Sequence, residues 1–316
     1  MGPVLVTGAA GFAGSHLLDH LAREQPDREL MAWARRIPPD VSARPGRWDQ
    51  IDLTHKEAVR HAIARLRPSA VYHCAGYPHA SGGWRDSARP LRANVMITEY
   101  LFDALRRAGD GCRIVLPGSG TVYAAAEHAH SENDPVRPRS AYSMSKLAQE
   151  QLALRAVNED GLDVIVTRPF NHTGPRQTAA FAAPSFARQI AAIERREMEP
   201  VIRVGNLTAR RDLLDVRDVV TAYTALMATG VPGTVYNVAS GIARPIAAVL
   251  EGLIARARVT VTVVPDPARM RPDDTPAMVG DASRLRNATG WSPAIPFERT
   301  LDDLLDYWRS SPAQPD

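Results

Sequence analysis

Apolar positions in the first half of the chain fall in short runs separated by longer stretches with helical spacing. PVLVTG (3–8), ELMAWA (29–34), WDQIDL (48–53), SAVYHCAG (69–76), CRIVLPGS (112–119) and LDVIVTRPF (162–170) read as short apolar strands. Strands alternating with helices predict an α/β fold: a Rossmann-type, doubly wound parallel sheet with helices on both faces. The first helix is expected from about Ala13, with Leu17, Leu18 and Leu21 on its buried side. Thr54 and Glu57 have the spacing of a capping box, which predicts that they open the helix after IDL.

From Pro169 onward prolines and glycines become frequent and the units irregular, so a second region built of loops and a few helices is expected to take the substrate. TVYNVAS (234–240) has strand character and is expected to return to the sheet. The reading is therefore a Rossmann domain over 1–168, with a returning strand near 213–240, and a smaller interleaved α/β substrate-binding region over 169–316.

With 316 residues, 45% of them hydrophobic and 23% charged, the chain can bury a large core. The opening MGPVLVTGAAG enters a strand at once without a basic leader, and no membrane-length apolar run follows, so a cytoplasmic protein without a membrane partner is expected. Cys74 and Cys112 sit in strand-like segments and read as small core residues; neither a disulfide nor a metal is assigned to them. The net charge of +3 comes from scattered arginines without interleaved aromatics, which argues against a nucleic-acid partner and for a phosphate-bearing small molecule.

VTGAAGFAG follows the first strand and places Gly8, Gly11 and Gly14 where backbone can approach a pyrophosphate, with Phe12 and Ala13 opening the helix. The spacing is slightly wider than the usual dinucleotide fingerprint. The triplet alone fits an ordinary strand-to-helix turn as well; its position at the end of the first strand favours a phosphate loop. After the second strand, Arg35 and Arg36 stand where a ribose-binding carboxylate would be expected, which favours NADP(H) over NAD(H), although solvated arginines would look the same. Asp52 and Leu53 are candidates for the adenine side; Asp52 also suits the start of a turn.

SAYSMSK puts Tyr142 and Lys146 one helical turn apart on one face. An ammonium beside a phenol favours phenolate and is expected to lower the tyrosine pKa, fitting it for proton transfer to a carbonyl oxygen. Ser119, in LPGSGTVY at the carboxyl end of the fifth strand, can hydrogen-bond the same oxygen. A tyrosine and lysine at this spacing are common on helix surfaces; with Ser119 and the glycine loop they form a catalytic set.

These residues resemble the extended short-chain dehydrogenase/reductase family, whose pattern is a TGxxGxxG loop, a serine or threonine after the fifth strand, and YxxxK. The resemblance implies that Lys146 also holds the nicotinamide ribose and that Tyr142 donates or accepts the proton while hydride passes between nicotinamide and a sugar carbon. Asn94, in LRANVMITEYL, matches the asparagine that supports the active-site helix; His73, Cys74, Ala75 and Gly76 match a cofactor-contacting strand end, and Pro169 is placed at the cofactor too. Plain structural roles fit these positions equally.

RPFNHTGPRQ, VGNLTARRDLLDVRDVV and RMRPDDTPAMVGDASRLRNATGWSP resemble the GDP-mannose branch of that family, its GDP-6-deoxy-D-mannose reductases in particular. The resemblance implies phosphate or nucleotide contacts at Asn171, Arg211 and Arg271, more weakly at Arg176 and Asp274, and substrate contacts at Ser81, Thr121 and Asn206. Guanidinium and amide groups suit pyrophosphate oxygens. Dehydratases of the branch carry a glutamate two positions after the catalytic hydroxyl, where this chain has Thr121. The expected reaction is therefore NAD(P)H-dependent reduction of a 4-keto-6-deoxy sugar nucleotide, GDP-4-keto-6-deoxy-D-mannose to GDP-D-rhamnose. A 4-epimerase with tightly bound NAD is the rival, since GSGTVY resembles the epimerase loop; a non-catalytic NAD(P)-binding regulator would not need Ser119, Tyr142 and Lys146 together. Gly118 and Gly120 depart from the serines usual in that loop. The base is favoured as guanine only by the resemblance, and a homodimer is expected by the same analogy.

Overall fold

The structure, a computed structural model, describes residues 2–77, 88–109, 111–270 and 275–311. In chain order the first half runs β1 (Val4–Thr7), α1 (Phe12–Glu24), β2 (Leu30–Ala34), β3 (Arg47–Gln50), α2 (Lys56–Leu66), β4 (Ala70–His73), α3 (Ala88–Leu91), a π-helical turn (Arg92–Met96), α4 (Ile97–Ala108), β5 (Arg113–Pro117), α5 (Ala141–Asp160) and β6 (Asp163–Pro169). There follow β7 (Asn171–Thr173), α6 (Ala182–Glu194), β8 (Val201–Val204), β9 (Arg210–Asp215), α7 (Val216–Thr229), β10 (Val235–Val238), β11 (Ala243–Pro245), α8 (Ile246–Ile254), β12 (Thr262–Pro265), β13 (Ala277–Met278), α9 (Ser283–Thr289) and α10 (Phe297–Ser310).

The central sheet has seven parallel strands in the order β10-β6-β5-β4-β1-β2-β3. Alternation along each strand sorts its side chains between two layers. Val4 and Val6 of β1, Val115 of β5 and Ile165 of β6 pack with Leu17, Leu18 and Leu21 of α1 and with Val219, Tyr223 and Leu226 of α7. Leu5, Ile114, Leu116, Val164 and Val166 pack on the other side with Val59 and Ile63 of α2, Leu101, Phe102 and Leu105 of α4, and Ala153 and Ala156 of α5. Each buried Val, Leu, Ile or Phe side chain among these contributes roughly 1.5–3 kcal/mol. The strand order reverses between β1 and β4, and at such a switch the loops after neighbouring strands diverge and leave a crevice. Gly8, Cys74 and Ser119 all lie just beyond the carboxyl ends of β1, β4 and β5.

Two local expectations need correction. Helix α2 starts at Lys56 with His55 before it and no side-chain cap, so Thr54 and Glu57 form no capping box. Asp52 takes Thr54 first, accepting from its N–H at 3.0 Å and its hydroxyl at 2.8 Å, while Glu57 pairs with Arg60 at 2.6 Å. The C-terminal half also holds more regular structure than loops and a few helices. Phe186 and Ile190 of α6, Leu250 and Leu253 of α8, and Leu301, Leu304 and Trp308 of α10 build a separate core. Beside it lie two small sheets, one joining β7, β9, β11 and β13 and one pairing β12 with β8. Strands of two to six residues that pair across long loops carry too few positions for a period-two signal. Strand β10 lies parallel to β6, with Val235 opposite Val166.

Both cysteines are free thiols. Among the described residues no helix is long and apolar enough to cross a membrane.

Candidate active site

Helix α5 begins with a reciprocal cap that sets the orientation of its first turn. Ser140 Oγ accepts from the Ser143 N–H at 3.1 Å, and Ser143 Oγ accepts from the Ser140 N–H at 3.0 Å. Tyr142 lies in that turn and Lys146 one turn further on. The helix faces the sheet with buried polar groups, Ser143, Ser145, Lys146, Gln149 and Glu150, because it covers a site as well as a core.

Lys146 is only 8% exposed, and its Nζ donates to the Pro117 carbonyl at 2.9 Å. Burial of the ammonium lowers its pKa to about 8, so it remains mostly cationic at neutral pH. The Tyr142 phenol behaves differently from the sequence expectation. Burial raises its pKa, a hydrogen bond with Ser119 opposes the rise, and the lysine charge is directed at Pro117. Ser119 is buried, and its Oγ lies 2.9 Å from Thr121 Oγ1 and accepts from the Thr121 N–H at 3.2 Å. Ser119, Thr121 and Tyr142 thus form one hydroxyl cluster at the end of β5.

The glycines around Ser119 follow from packing. A Cβ on Gly118 would stand 2.7 Å from the Thr167 carbonyl, and one on Gly120 would press the Phe170 ring at 3.1 Å. Serine at either position would require β6 or Phe170 to move.

A chain of directed hydrogen bonds joins β1, β4 and α5 behind this cluster. The Thr98 hydroxyl donates to the Asn94 carbonyl at 2.7 Å, which spends its single proton. It must therefore accept from both the Gln149 amide at 2.6 Å and His73 Nε2 at 3.1 Å. His73 is then neutral with its proton on Nε2, leaving Nδ1 to accept from Thr7 Oγ1 at 2.7 Å. Burial lowers the His73 pKa to about 3, the nearby Lys146 charge adding to the effect, in keeping with that neutral form. Asn94, held in the π-helical turn, accepts from the Tyr77 N–H at 2.7 Å and donates to Ser145 Oγ at 2.7 Å; Ser145 in turn donates to the Tyr142 carbonyl at 2.7 Å. Thr98, Ser145 and Gln149 were not singled out in the sequence. Their signal was helical spacing: Thr98 follows Asn94, and Gln149 follows Ser145, by four residues.

The glycine loop after β1 has the conformation its glycines suggest. Gly8 has φ +66°, and a Cβ there would stand 2.6 Å from the Ala75 nitrogen; Gly11 donates to the Gly8 carbonyl at 2.9 Å, and Gly14 packs on that same carbonyl. The first turn of α1, with Phe12 and Ala13, has no side-chain cap and no acidic residue, so its N–H groups face an anion-accepting position. Gly76 lines the other side: a Cβ there would strike Asn94 Oδ1 at 2.6 Å and lie 3.9 Å from Lys146 Nζ. Bare backbone on both sides of the crevice is the form a dinucleotide requires.

Of the remaining candidates, Cys74 is half-buried with its thiol pushed up to about 12 by burial, and Arg35 and Arg36 are exposed in the bend after β2. Leu53 is buried, and Asp52 serves the Thr54 turn. Pro169 ends β6, and Asn171 is exposed on β7. His172, missed in the sequence, stacks on Phe12 at 5.7 Å with the rings 5° from parallel and so joins the second region to the phosphate loop. Arg176 stands apart from the hydroxyl cluster, bonded to Asp19 at 2.7 Å and His16 at 2.8 Å on α1. Asn206 Oδ1 accepts from the Thr208 N–H and hydroxyl, and Arg211 donates to the Arg210 and Thr275 carbonyls at 2.8 and 2.7 Å. Ser81, Arg271 and Asp274 lie outside the described residues.

Comparison with known proteins identifies the family. Residues 4–239 match the model of the NAD dependent epimerase/dehydratase family. The chain is 37% identical over 311 residues to GDP-6-deoxy-D-mannose reductase from Pseudomonas aeruginosa, covering 97% of each protein. Its structure superposes on that of RMD from Pseudomonas aeruginosa complexed with NADPH with a TM-score of 0.86, at 34% identity over 98% of this chain and 99% of that one. UDP-glucose 4-epimerase from Thermus thermophilus in complex with NAD gives 0.85 at 25% identity, again over 98% and 99%. The chain belongs to the NAD-dependent epimerase/dehydratase family, the extended short-chain dehydrogenases/reductases, and is an enzyme of that type.

Proposed function

We propose that this enzyme reduces the 4-keto group of a nucleotide-activated 6-deoxyhexose, with GDP-4-keto-6-deoxy-D-mannose as substrate, GDP-D-rhamnose as product and NADPH as the preferred cofactor. The observation that carries the reading is Thr121. At the position where dehydration needs a carboxylate base, the chain holds a hydroxyl tied to Ser119 at 2.9 Å. Such a cluster can donate to a ketone oxygen but has no group to take a proton from carbon. The similarity to GDP-6-deoxy-D-mannose reductase supports the choice of sugar, and the likeness to RMD with NADPH supports the cofactor, together with Arg35 and Arg36, exposed in the bend after β2 where a ribose 2′-phosphate would be held.

The nicotinamide, when bound, supplies the hydride for carbon 4. Tyr142 gives its proton to the ketone oxygen, and Ser119 holds that oxygen and steadies the charge that develops on it. A phenol whose pKa is raised by burial is protonated at neutral pH, the form a proton donor needs. Lys146, held on the Pro117 carbonyl one turn beyond Tyr142, supplies the site's buried positive charge and would hold the nicotinamide ribose. Gly8, Gly11, Phe12, Ala13 and Gly14 would carry the pyrophosphate, Cys74, Ala75, Gly76 and Pro169 would flank the nicotinamide half, and Asn171 and Arg211 would meet the sugar-nucleotide phosphates.

The test is incubation of the purified enzyme with NADPH and GDP-4-keto-6-deoxy-D-mannose, following absorbance of the reduced cofactor and the sugar products. One NADPH consumed per GDP-D-rhamnose formed supports the reading. Tightly retained cofactor with no net consumption, and interconversion of 4-hydroxy epimers, would replace it with a 4-epimerase.

A further inference from the structure

The loop between β5 and α5 carries a side-chain cluster with no part in the chemistry above. His128 Nε2 lies 2.7 Å from Asp134 Oδ2, His130 Nδ1 lies 3.4 Å from the same oxygen, and one donor atom from each of the three residues falls within 4.8 Å of the others. The His130 side chain is only 2% exposed, yet its Nε2 has no hydrogen-bond partner and its Nδ1 meets only the long contact with Asp134. Buried polar groups in folded proteins are nearly always satisfied, so a buried imidazole with one nitrogen unpartnered and the other held only loosely, beside a carboxylate and a second imidazole, needs an explanation.

We propose that His128, His130 and Asp134 form a binding site for a divalent transition-metal ion of the zinc type. Two imidazole nitrogens and one carboxylate oxygen are donors such ions prefer, and bonds of about 2.0–2.2 Å around a tetrahedral ion separate neighbouring donors by about 3.3 Å. The His130–Asp134 separation already matches that edge, and the His128–Asp134 contact has to open by a fraction of an ångström. His128 is 67% exposed, so it can make that adjustment, and it leaves the remaining coordination position on the solvent side for water.

The surroundings hold the donors in place. The His130 N–H donates to Val279 and its carbonyl accepts from Asp281 and from the Asn237 side chain, while its ring stacks on Tyr123 at 4.7 Å and 5°. Ser131 Oγ donates to Asp134 Oδ1 at 3.0 Å, orienting the carboxylate from outside the cluster. An ion here would close residues 128–134 on themselves, in a loop already bonded to Asn237 of β10 and to Val279 and Asp281 just after β13. Its role is structural: the three donors are distinct from the hydroxyl cluster of Ser119, Thr121 and Tyr142.

The test uses the full chain, with any affinity tag removed, stripped by a chelator and titrated with Co²⁺, then with Zn²⁺. The expected result is one Co²⁺ per chain with visible d–d absorption, displaced by one Zn²⁺, and a rise in Tm with Zn²⁺. In His128→Ala and Asp134→Asn the affinity should fall at least about tenfold and the Tm response vanish, with reduced-cofactor binding unchanged. Absence of stoichiometric binding would overturn the site and leave the His128–Asp134 contact as a plain ion pair. Equal Tm responses in wild type and both variants would also overturn it, by placing the ion elsewhere.

Discussion

Lys146 Nζ donates to the carbonyl of Pro117 at 2.9 Å, which ties the second turn of the active-site helix to the end of β5, two residues before Ser119. One contact therefore sets the position of the lysine relative to the serine. It also leaves a buried ammonium with a neutral partner, whose pKa is lowered from 10.5 to about 8 by burial.

That shift has a definite sign for stability. Between pH 8 and 10.5 the unfolded chain keeps the Lys146 proton and the folded chain releases it, so this group's contribution rises with pH through that window. Below pH 8 the full cost of burying the charge is present, on the order of 3 kcal/mol. Lys146→Met should raise Tm at pH 7, by less than that figure suggests because the Pro117 carbonyl loses its donor, and the advantage over wild type should shrink as pH rises towards 10.5. Thermal melts across that range check it; an advantage that grows with pH would reverse the assignment.

Turnover should respond to the same group. In wild type, kcat/KM is expected to fall above pH about 8 as Lys146 loses its charge, while Lys146→Met should be inactive throughout. A pH profile with saturating NADPH and limiting sugar nucleotide is the measurement.

Tyr142→Phe removes only the hydroxyl bonded to Ser119. With the proton donor lost, kcat should drop by roughly 10²–10⁴-fold while NADPH affinity stays within a few-fold, since the glycine loop is untouched. Stopped-flow reduction alongside fluorescence titration separates these effects, and retained turnover would remove Tyr142 from the role proposed for it.

Thr98 makes its effect from a distance. Thr98→Val keeps the shape but leaves the Gln149 amide, His73 Nε2 and the Asn94 carbonyl each short of a partner. Loss of about 1–3 kcal/mol per unsatisfied buried group makes this change severe, and urea unfolding should show a lower midpoint with an unchanged slope. Thr98→Ser, which preserves the hydroxyl, should recover most of the loss.

Arg35 and Arg36 are exposed, so replacing them tests cofactor choice without disturbing the fold. Arg35→Asp combined with Arg36→Ala should weaken NADPH binding by at least tenfold and leave NADH binding equal or improved, because a carboxylate there repels a 2′-phosphate and accepts from a ribose hydroxyl. Calorimetry with both cofactors decides the matter, and an unchanged NADPH affinity would contradict the preference.

Sequence alone was enough for the sheet, the glycine turn after β1 and the Tyr142–Lys146 helix, because each depends on local rules. Short continuous apolar strands, glycine at a positive φ and one-turn spacing are written within a few residues of one another. Tertiary structure decided what depends on neighbours distant in sequence. The lysine's partner is a β5 carbonyl, the tyrosine's pKa direction follows from burial, Thr54 goes to Asp52 in preference to a capping box, and the tautomer of His73 is set by a proton that Thr98 spends on Asn94. The His128–His130–Asp134 cluster belongs to the second group as well. Seven residues bring those side chains close, but only packing against Tyr123, Val279 and Asn237 buries His130 and strips its nitrogens of water.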